Sequence, residues 1–206
     1  TIKLKSEEDL QKFYDTQLER CGVEQFDNYL LHWLNKDIYA KAQKYDAFAF
    51  LRKLKAEGKV KKIGFSYHDG ADLLEQILNE HPEVEFVQLQ INYLDWESVT
   101  IQARKCYETA VKHGKRVIVM EPVKGGILAD PIPTVRAVFD AAGKDVSYAS
   151  WALRFAAGLE GVHAVLSGMS NLEQLRDNVN TFADAEGLCD EDMATLMKAG
   201  ALFRKQ

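Results

Sequence analysis

The sequence predicts a parallel (β/α) barrel. Strand-like and helix-like segments alternate along its whole length, no Gly-x-Gly-x-x-Gly turn is present, and polar residues gather where the strands end. Alternation of this kind needs long crossover connections, because parallel neighbours cannot be joined by a tight turn. An open doubly wound sheet fits the same alternation, but one that binds a dinucleotide normally carries the glycine turn after a strand. Its absence favours the barrel. A barrel takes eight strands, whereas five are secure here and a sixth candidate lies at TIKL. The expected fold is therefore a (β/α)8 barrel, incomplete at the N-terminus, with 1–206 forming a single domain.

The elements follow in order. From Ser6, the apolar residues Leu10, Phe13, Tyr14, Leu18 and Cys21 recur at helical spacing, with Ser6 as N-cap, Asp9 three residues on and Gly22 just past the end. FDNYLLHWL is short, aromatic and rich in large apolar residues, and reads as a buried strand. Helical spacing returns from Asp46 to Glu57 and stops at Gly58. The alternation then continues four more times: VKKIGFS and ADLLEQILNE; VEFVQLQINY and VTIQARKCYETAVKH; RVIVM and a helix containing TVRAVFDAA and SYASWALRFAAG; VHAVLSG and NLEQLRDNV. DEDMATLMKAGALFRKQ reads as a closing surface helix.

Composition narrows the function classes. With 206 residues, 47% of them hydrophobic, the chain has material for one well-buried core. Its net charge is −5, and acidic and basic residues are interleaved, which disfavours nucleic acid and anionic membrane as partners. No apolar run approaches the roughly 18 residues of a membrane span, and 1–9 lack the apolar core of a signal peptide, so a cytoplasmic location is expected. Cys21, Cys106 and Cys189 are odd in number and far apart, which points to free thiols and to no metal site.

In a parallel sheet the carboxyl ends of the strands face the ligand, and five strand ends here carry candidate chemistry. His32 in YLLHWL can orient or polarise a carbonyl oxygen; a histidine satisfied by a backbone carbonyl is an equally good reading of that residue alone. IGFSYHD offers Ser66, Tyr67, His68 and Asp69, a set that by itself suits a turn and a helix cap better than a site. FVQLQINYLD puts Gln88, Gln90 and Asn92 on one face of a strand that should be apolar, and unpaired buried amides cost a few kcal/mol, so a polar ligand is expected beside at least one of them. VIVMEPVKGGIL supplies Pro122, Lys124 and Gly125, a composition that lets backbone approach a phosphate while the lysine adds charge. VLSGMSNLEQLRDNV opens a helix through Gly168 and Ser170, whose first turn presents amides to an anion, with Gln174 and Asn178 on one face.

FDNYLLHW, KVKKIGFSYHD, VQLQINYLD, VMEPVKGGIL and SGMSNLEQLRDNV together resemble the aldo-keto reductase family in order and spacing, over nearly the whole chain. The branch that looks closest is the bacterial one with an iron-sulfur segment after the barrel, and no cysteine cluster of that kind is present here. The resemblance implies an NAD(P)H-dependent oxidoreductase that reduces an aldehyde or ketone, with NADP or NAD as cofactor and a small-molecule carbonyl compound as substrate. It further implies that His32 is catalytic, that Ser66 and Gln90 hold the nicotinamide amide, and that the segment from Pro122 through Lys124 and Gly125 to Gly126 lies along the pyrophosphate. Gly168, Ser170, Gln174 and Asn178 fall to the adenosine end.

The chain also departs from the family pattern. Tyr67 stands where many members have asparagine, and Ser170 where an arginine or lysine often clamps a 2′-phosphate. The two amino-terminal units that would carry the catalytic aspartate and tyrosine are not in this sequence. Lys3 could match the catalytic lysine, but KSEEDL aligns equally well farther along. These gaps keep an alternative in view, a non-catalytic nucleotide-binding or scaffold barrel.

Overall fold

The computed structural model describes Thr1, 3–183 and 187–205. It divides into two compact units: Thr1–Leu89 with Cys106–Val117, and Gln90–Lys105 with Ile118–Gln206. The strands β1 (Phe26–Leu34), β2 (Val60–Tyr67), β3 (Phe86–Gln90), β4 (Arg116–Met120) and β5 (Val162–Val165) form one sheet in sequence order. This is the α/β alternation that the sequence predicts. Among the described residues the strands number five: Thr1, Lys3 and Leu4 of the sixth candidate lie in no strand, and Ile2 of that candidate is outside the described residues.

In the first unit, helix α1 (Glu8–Cys21) ends where expected, at Gly22 with φ 64°, whose N–H donates to the Glu19 carbonyl while Val23 donates to Leu18. Its start differs from the Ser6 cap. The helix begins at Glu8, and the Asp9 carboxylate reaches back to accept from the Lys5 and Ser6 amides at 2.8 and 3.2 Å. Tyr14, fully buried, packs edge-on against Phe26 and Tyr29 of β1 and donates to the Lys59 carbonyl at 2.9 Å. Helix α2 (Lys36–Lys44), which the sequence-based alternation does not contain, is capped by Asn35, whose Oδ1 accepts from the Ile38 amide. It is followed by α3 (Ala47–Ala56) and, after β2, by α4 (Ala71–Glu80).

The β1–β2 and β2–β3 pairs are parallel. Phe26 stands beside Val60 and Leu31 beside Phe65, while β2 meets β3 with Gly64 beside Phe86 and Ser66 beside Gln88. Gly64 is required by contact: a Cβ there would lie 2.5 Å from the Phe86 carbonyl oxygen and 2.6 Å from its ring. Strands β3 and β4 run through both units. Arg116 donates to Glu85 in the first, and Ile91 to Met120 in the second, where Leu166 also donates to Val119 and thereby ties in β5.

In the second unit, the single helix expected over TVRAVFDAA and SYASWALRFAAG is two, α6 (Pro133–Asp140) and α7 (Tyr148–Ala157), with Gly143 at φ 68° between them. Ser147 caps α7, accepting from the Ser150 amide and donating to Asp177 of α8 (Leu172–Ala183). Helix α9 (Asp190–Phe203) is not a mere surface element, for Leu196, Ala199 and Gly200 are buried, and a Cβ on Gly200 would come within 2.8 Å of the Tyr93 carbonyl. Helix α5 (Ala103–Lys112), of which 106–112 belong to the first unit, starts later than expected because 99–101 form turns. No helix among the described residues is long and apolar enough to cross a membrane.

Candidate active site

In the first unit the functional geometry starts from an irregularity in β1. Its pairing with β2 shifts register between Leu31 and Leu34, and Trp33 takes a left-handed φ of 64°. Such a bulge breaks the strict in-and-out alternation of a strand, so His32 and Trp33 are both exposed between the buried Leu31 and Leu34. The Trp33 amide donates to the Ser66 hydroxyl at 2.7 Å, which fixes the bulge to the end of β2. Ser66 is fully buried. A hydroxyl that accepts in this way still has its own proton to donate.

The Trp33 indole stacks on the His68 ring, centroids 4.1 Å apart and planes 16° apart, and stands edge-on to His32 at 5.9 Å. Burial holds the pKa of both imidazoles below the usual histidine value. Tyr67 does not join this group. It is buried, donates its hydroxyl to the Gly70 carbonyl at 2.5 Å, and has its pKa driven well above the ordinary phenol range by that burial.

His32, His68 and the buried-facing His81 all have lowered pKa values, with desolvation the first cause in each. The folded chain then binds fewer protons at these sites than the unfolded chain does. Their contribution to stability is complete above the unfolded value of about 6.5 and is lost as pH falls below it, toward the lowered folded values. The urea midpoint is expected to be lower at about pH 5.5 than at about pH 7.5; equal midpoints would contradict this assignment.

In the second unit the centre of the polar network is a residue that the sequence reading had not singled out. Asp95 is 4% exposed, and its carboxylate accepts from Gln90 at 2.8 Å, from Asn92 at 2.9 Å and from Lys124 through both oxygens at 2.7 and 2.8 Å. Asn92 also accepts from the Asp95 amide and donates to the Glu121 carbonyl. Gln90 is thus directed at Asp95, and the charge of Lys124 is matched by a buried carboxylate. In the first unit, it is Gln88 that stands beside Ser66 in register.

This network anchors an unusual loop. Glu121, Lys124, Gly125 and Gly126 all have positive φ, at 57°, 47°, 62° and 97°. Two of the four are not glycine, and such backbone persists only where the surroundings over-determine it. Pro122 and Gly125 from this loop, with Gly168, Ser170, Gln174 and Asn178 from the β5–α8 side, line one cavity of about 320 Å³. That volume falls at the lower end of small-molecule pockets. Six of the ten predicted site residues therefore share one cavity, and Lys124 and Gln90 stand outside its lining.

The glycines argue for a ligand against this wall. A Cβ on Gly125, Gly126 or Gly168 would meet nothing within 4 Å, so packing against the chain does not demand glycine there. At Gly125 and Gly126 positive φ does, and at Gly168 neither reason applies, which fits backbone left bare for a ligand's close approach. Around it the polar groups are neutral and mutually paired: the Ser170 amide and hydroxyl both donate to Gln174 Oε1 at 2.8 and 3.1 Å, and Asn178 donates to the Ser167 hydroxyl at 2.8 Å.

Comparison with known proteins bears on what this arrangement is. A family model described as the Aldo/keto reductase family matches residues 2–201. Among solved structures, an aldo-keto reductase from Bacillus halodurans in its holo form superposes with a TM-score of 0.74 at 21% identity, covering 94% of this chain and 65% of that one. An aldo/keto reductase from Brucella melitensis gives 0.69 at 24% identity, covering 95% and 69%. An aldo-keto reductase from Klebsiella pneumoniae, in complex with NADPH, gives 0.67 at 21% identity, covering 90% and 62%. The likeness at these identities is one of fold, and the chain spans about two thirds or less of the first and third of these structures. No curated protein matches the sequence.

Proposed function

The chain belongs to the aldo/keto reductase family, and from that premise we propose that it binds a nicotinamide dinucleotide and serves the reduction of a small aldehyde or ketone. The observation that carries the proposal is the cavity in which Pro122, Gly125, Gly168, Ser170, Gln174 and Asn178 meet. The bound cofactor supplies a hydride to the carbonyl carbon. All else falls to the protein.

In the first unit, His32 is exposed on its bulge and kept neutral by the lowering of its pKa. A neutral imidazole can donate one N–H to a carbonyl oxygen and orient it, stabilising the charge that grows there. The alkoxide left by hydride transfer takes up a proton from a general acid to complete the alcohol. Ser66 donates to the nicotinamide amide, and Gln88, its neighbour in register, assists; Gln90 reaches that group only by giving up its bond to Asp95. In the second unit, the Gly125–Gly126 turn admits the pyrophosphate, and Gly168 and Ser170 open the first turn of α8 toward phosphate and ribose. Gln174 and Asn178 address the adenosine. Lys124 acts as a strut to Asp95 and holds the loop in shape.

With free Cys21, Cys106 and Cys189 and a net charge of −5, the proposal carries a cytoplasmic location. Mixing the intact protein with reduced cofactor and a panel of small aldehydes and ketones is expected to consume the cofactor absorbance only when a carbonyl compound is present. Failure of both NADH and NADPH to bind at millimolar concentration would overturn the proposal.

A further inference from the structure

We infer that this site takes NADH in preference to NADPH, with Ser170 as the residue that sets the preference. The inference rests on the nucleotide site proposed above and narrows it. Among the described residues lining the cavity in the second unit the one ionisable side chain is an acid, Glu121, and none is a lysine or arginine. The cation nearest in sequence, Lys124, has its ammonium on both oxygens of the buried Asp95 carboxylate at 2.7 and 2.8 Å, so the pair brings no net charge.

Arg176 is the single cation of the α8 segment 172–183. It lies two residues from both Gln174 and Asn178, which on a helix puts it on roughly the opposite face. The groups that do face the cavity at this end are neutral, with Ser170 and Gln174 bound to each other and Asn178 bound to Ser167.

Such groups suit the hydroxyls of a ribose and the edge of an adenine. A 2′-phosphate adds close to two further negative charges. Sites that accept it set an arginine beside it, whereas a polar or acidic side chain suffices for the bare 2′-hydroxyl. Here the added phosphate would meet a wall in which the one formal charge among the described residues is negative.

Titration of the intact protein with each reduced cofactor, followed by cofactor fluorescence at low salt, decides the matter. NADH is expected to bind about tenfold more tightly than NADPH. A ratio below threefold, or tighter binding of NADPH, overturns the inference. The gap is expected to narrow as salt rises, because repulsion between charges is screened, whereas a purely steric exclusion would leave it unchanged.

Ser170→Arg is expected to move the NADPH-to-NADH affinity ratio by tenfold or more toward NADPH; an unmoved ratio in a folded variant removes Ser170 from the account. Should that variant not fold, competition on the unaltered protein by adenosine 2′,5′-bisphosphate against AMP gives the same comparison, and equal or better competition by the bisphosphate overturns the preference. Binding of neither cofactor strikes the nucleotide site itself and takes this preference with it, an outcome distinct from binding of both alike.

Discussion

Asp95→Leu is expected to destabilise the protein by about 1–3 kcal/mol, the cost of leaving polar groups at a largely buried site without their acceptor. The variant strands the Lys124 ammonium, whose side chain is 28% exposed, and removes the acceptor used by Gln90 and Asn92. Removing both charges in Asp95→Leu/Lys124→Met is expected to recover the part of that loss due to the stranded ammonium, while Gln90 and Asn92 stay without their acceptor. Recovery of stability is not expected to bring recovery of cofactor affinity. Without the pair, Glu121 and Lys124, both at positive φ, lose the ionic anchor of their loop, and the loop that lines the cavity is expected to relax. Denaturant midpoints with a parallel cofactor titration measure both effects; a single variant within about 1 kcal/mol of the parent would show that the pair is not what holds the loop.

The second large effect concerns chemistry alone. His32→Ala is expected to lower kcat for carbonyl reduction by about 10²–10⁴-fold, the range for loss of a positioned proton donor or acceptor. Cofactor affinity should stay within a few-fold, because His32 belongs to the substrate side of the proposed site. Stability should change little, since the residue is exposed and its ring meets Trp33 edge-on. Steady-state kinetics beside a cofactor titration separate the two outcomes. A drop in affinity with unaltered turnover would place His32 in the cofactor site instead.

Much of the fold was legible in the sequence because its signals are local. The limits of β1, α4 and β4 follow directly from FDNYLLHWL, ADLLEQILNE and RVIVM, where period and punctuation agree. The end of α1 was legible through Gly22, whereas the break between α6 and α7 was missed although Gly143, at φ 68°, and the Ser147 cap both mark it. Helix α2 is short and carries few apolar residues in KDIYAKAQK, so its stability comes from Asn35 and from burial of Tyr39 and Ala42, which are tertiary facts. Likewise, the burial of α9 depends on the approach of Gly200 to the Tyr93 backbone, a contact 107 positions apart that leaves no periodic trace.

Within the site, the glycines and the α8 opening were readable as a backbone made for a ligand. The partner of Lys124 was not. A lysine beside two glycines suggests a free charge for a phosphate, and only the fold brings Asp95 to it across 29 positions. The same holds for the strand amides. Alternation places Gln88, Gln90 and Asn92 on one face, but the register with β2 is what sets Gln88 beside Ser66 and the turn at Asp95 is what occupies Gln90 and Asn92. The bulge at Trp33 has no composition signal at all, since a tryptophan is a poor candidate for φ 64°.

Hydrogen exchange measured with and without NADH tests most directly whether the cavity of the second unit holds a dinucleotide. The expected result is slowed exchange in two segments, 122–126 and 168–174, with the rest of α8 and α9 unchanged. Protection confined to other segments, or none at all while NADH is demonstrably bound, would contradict the account.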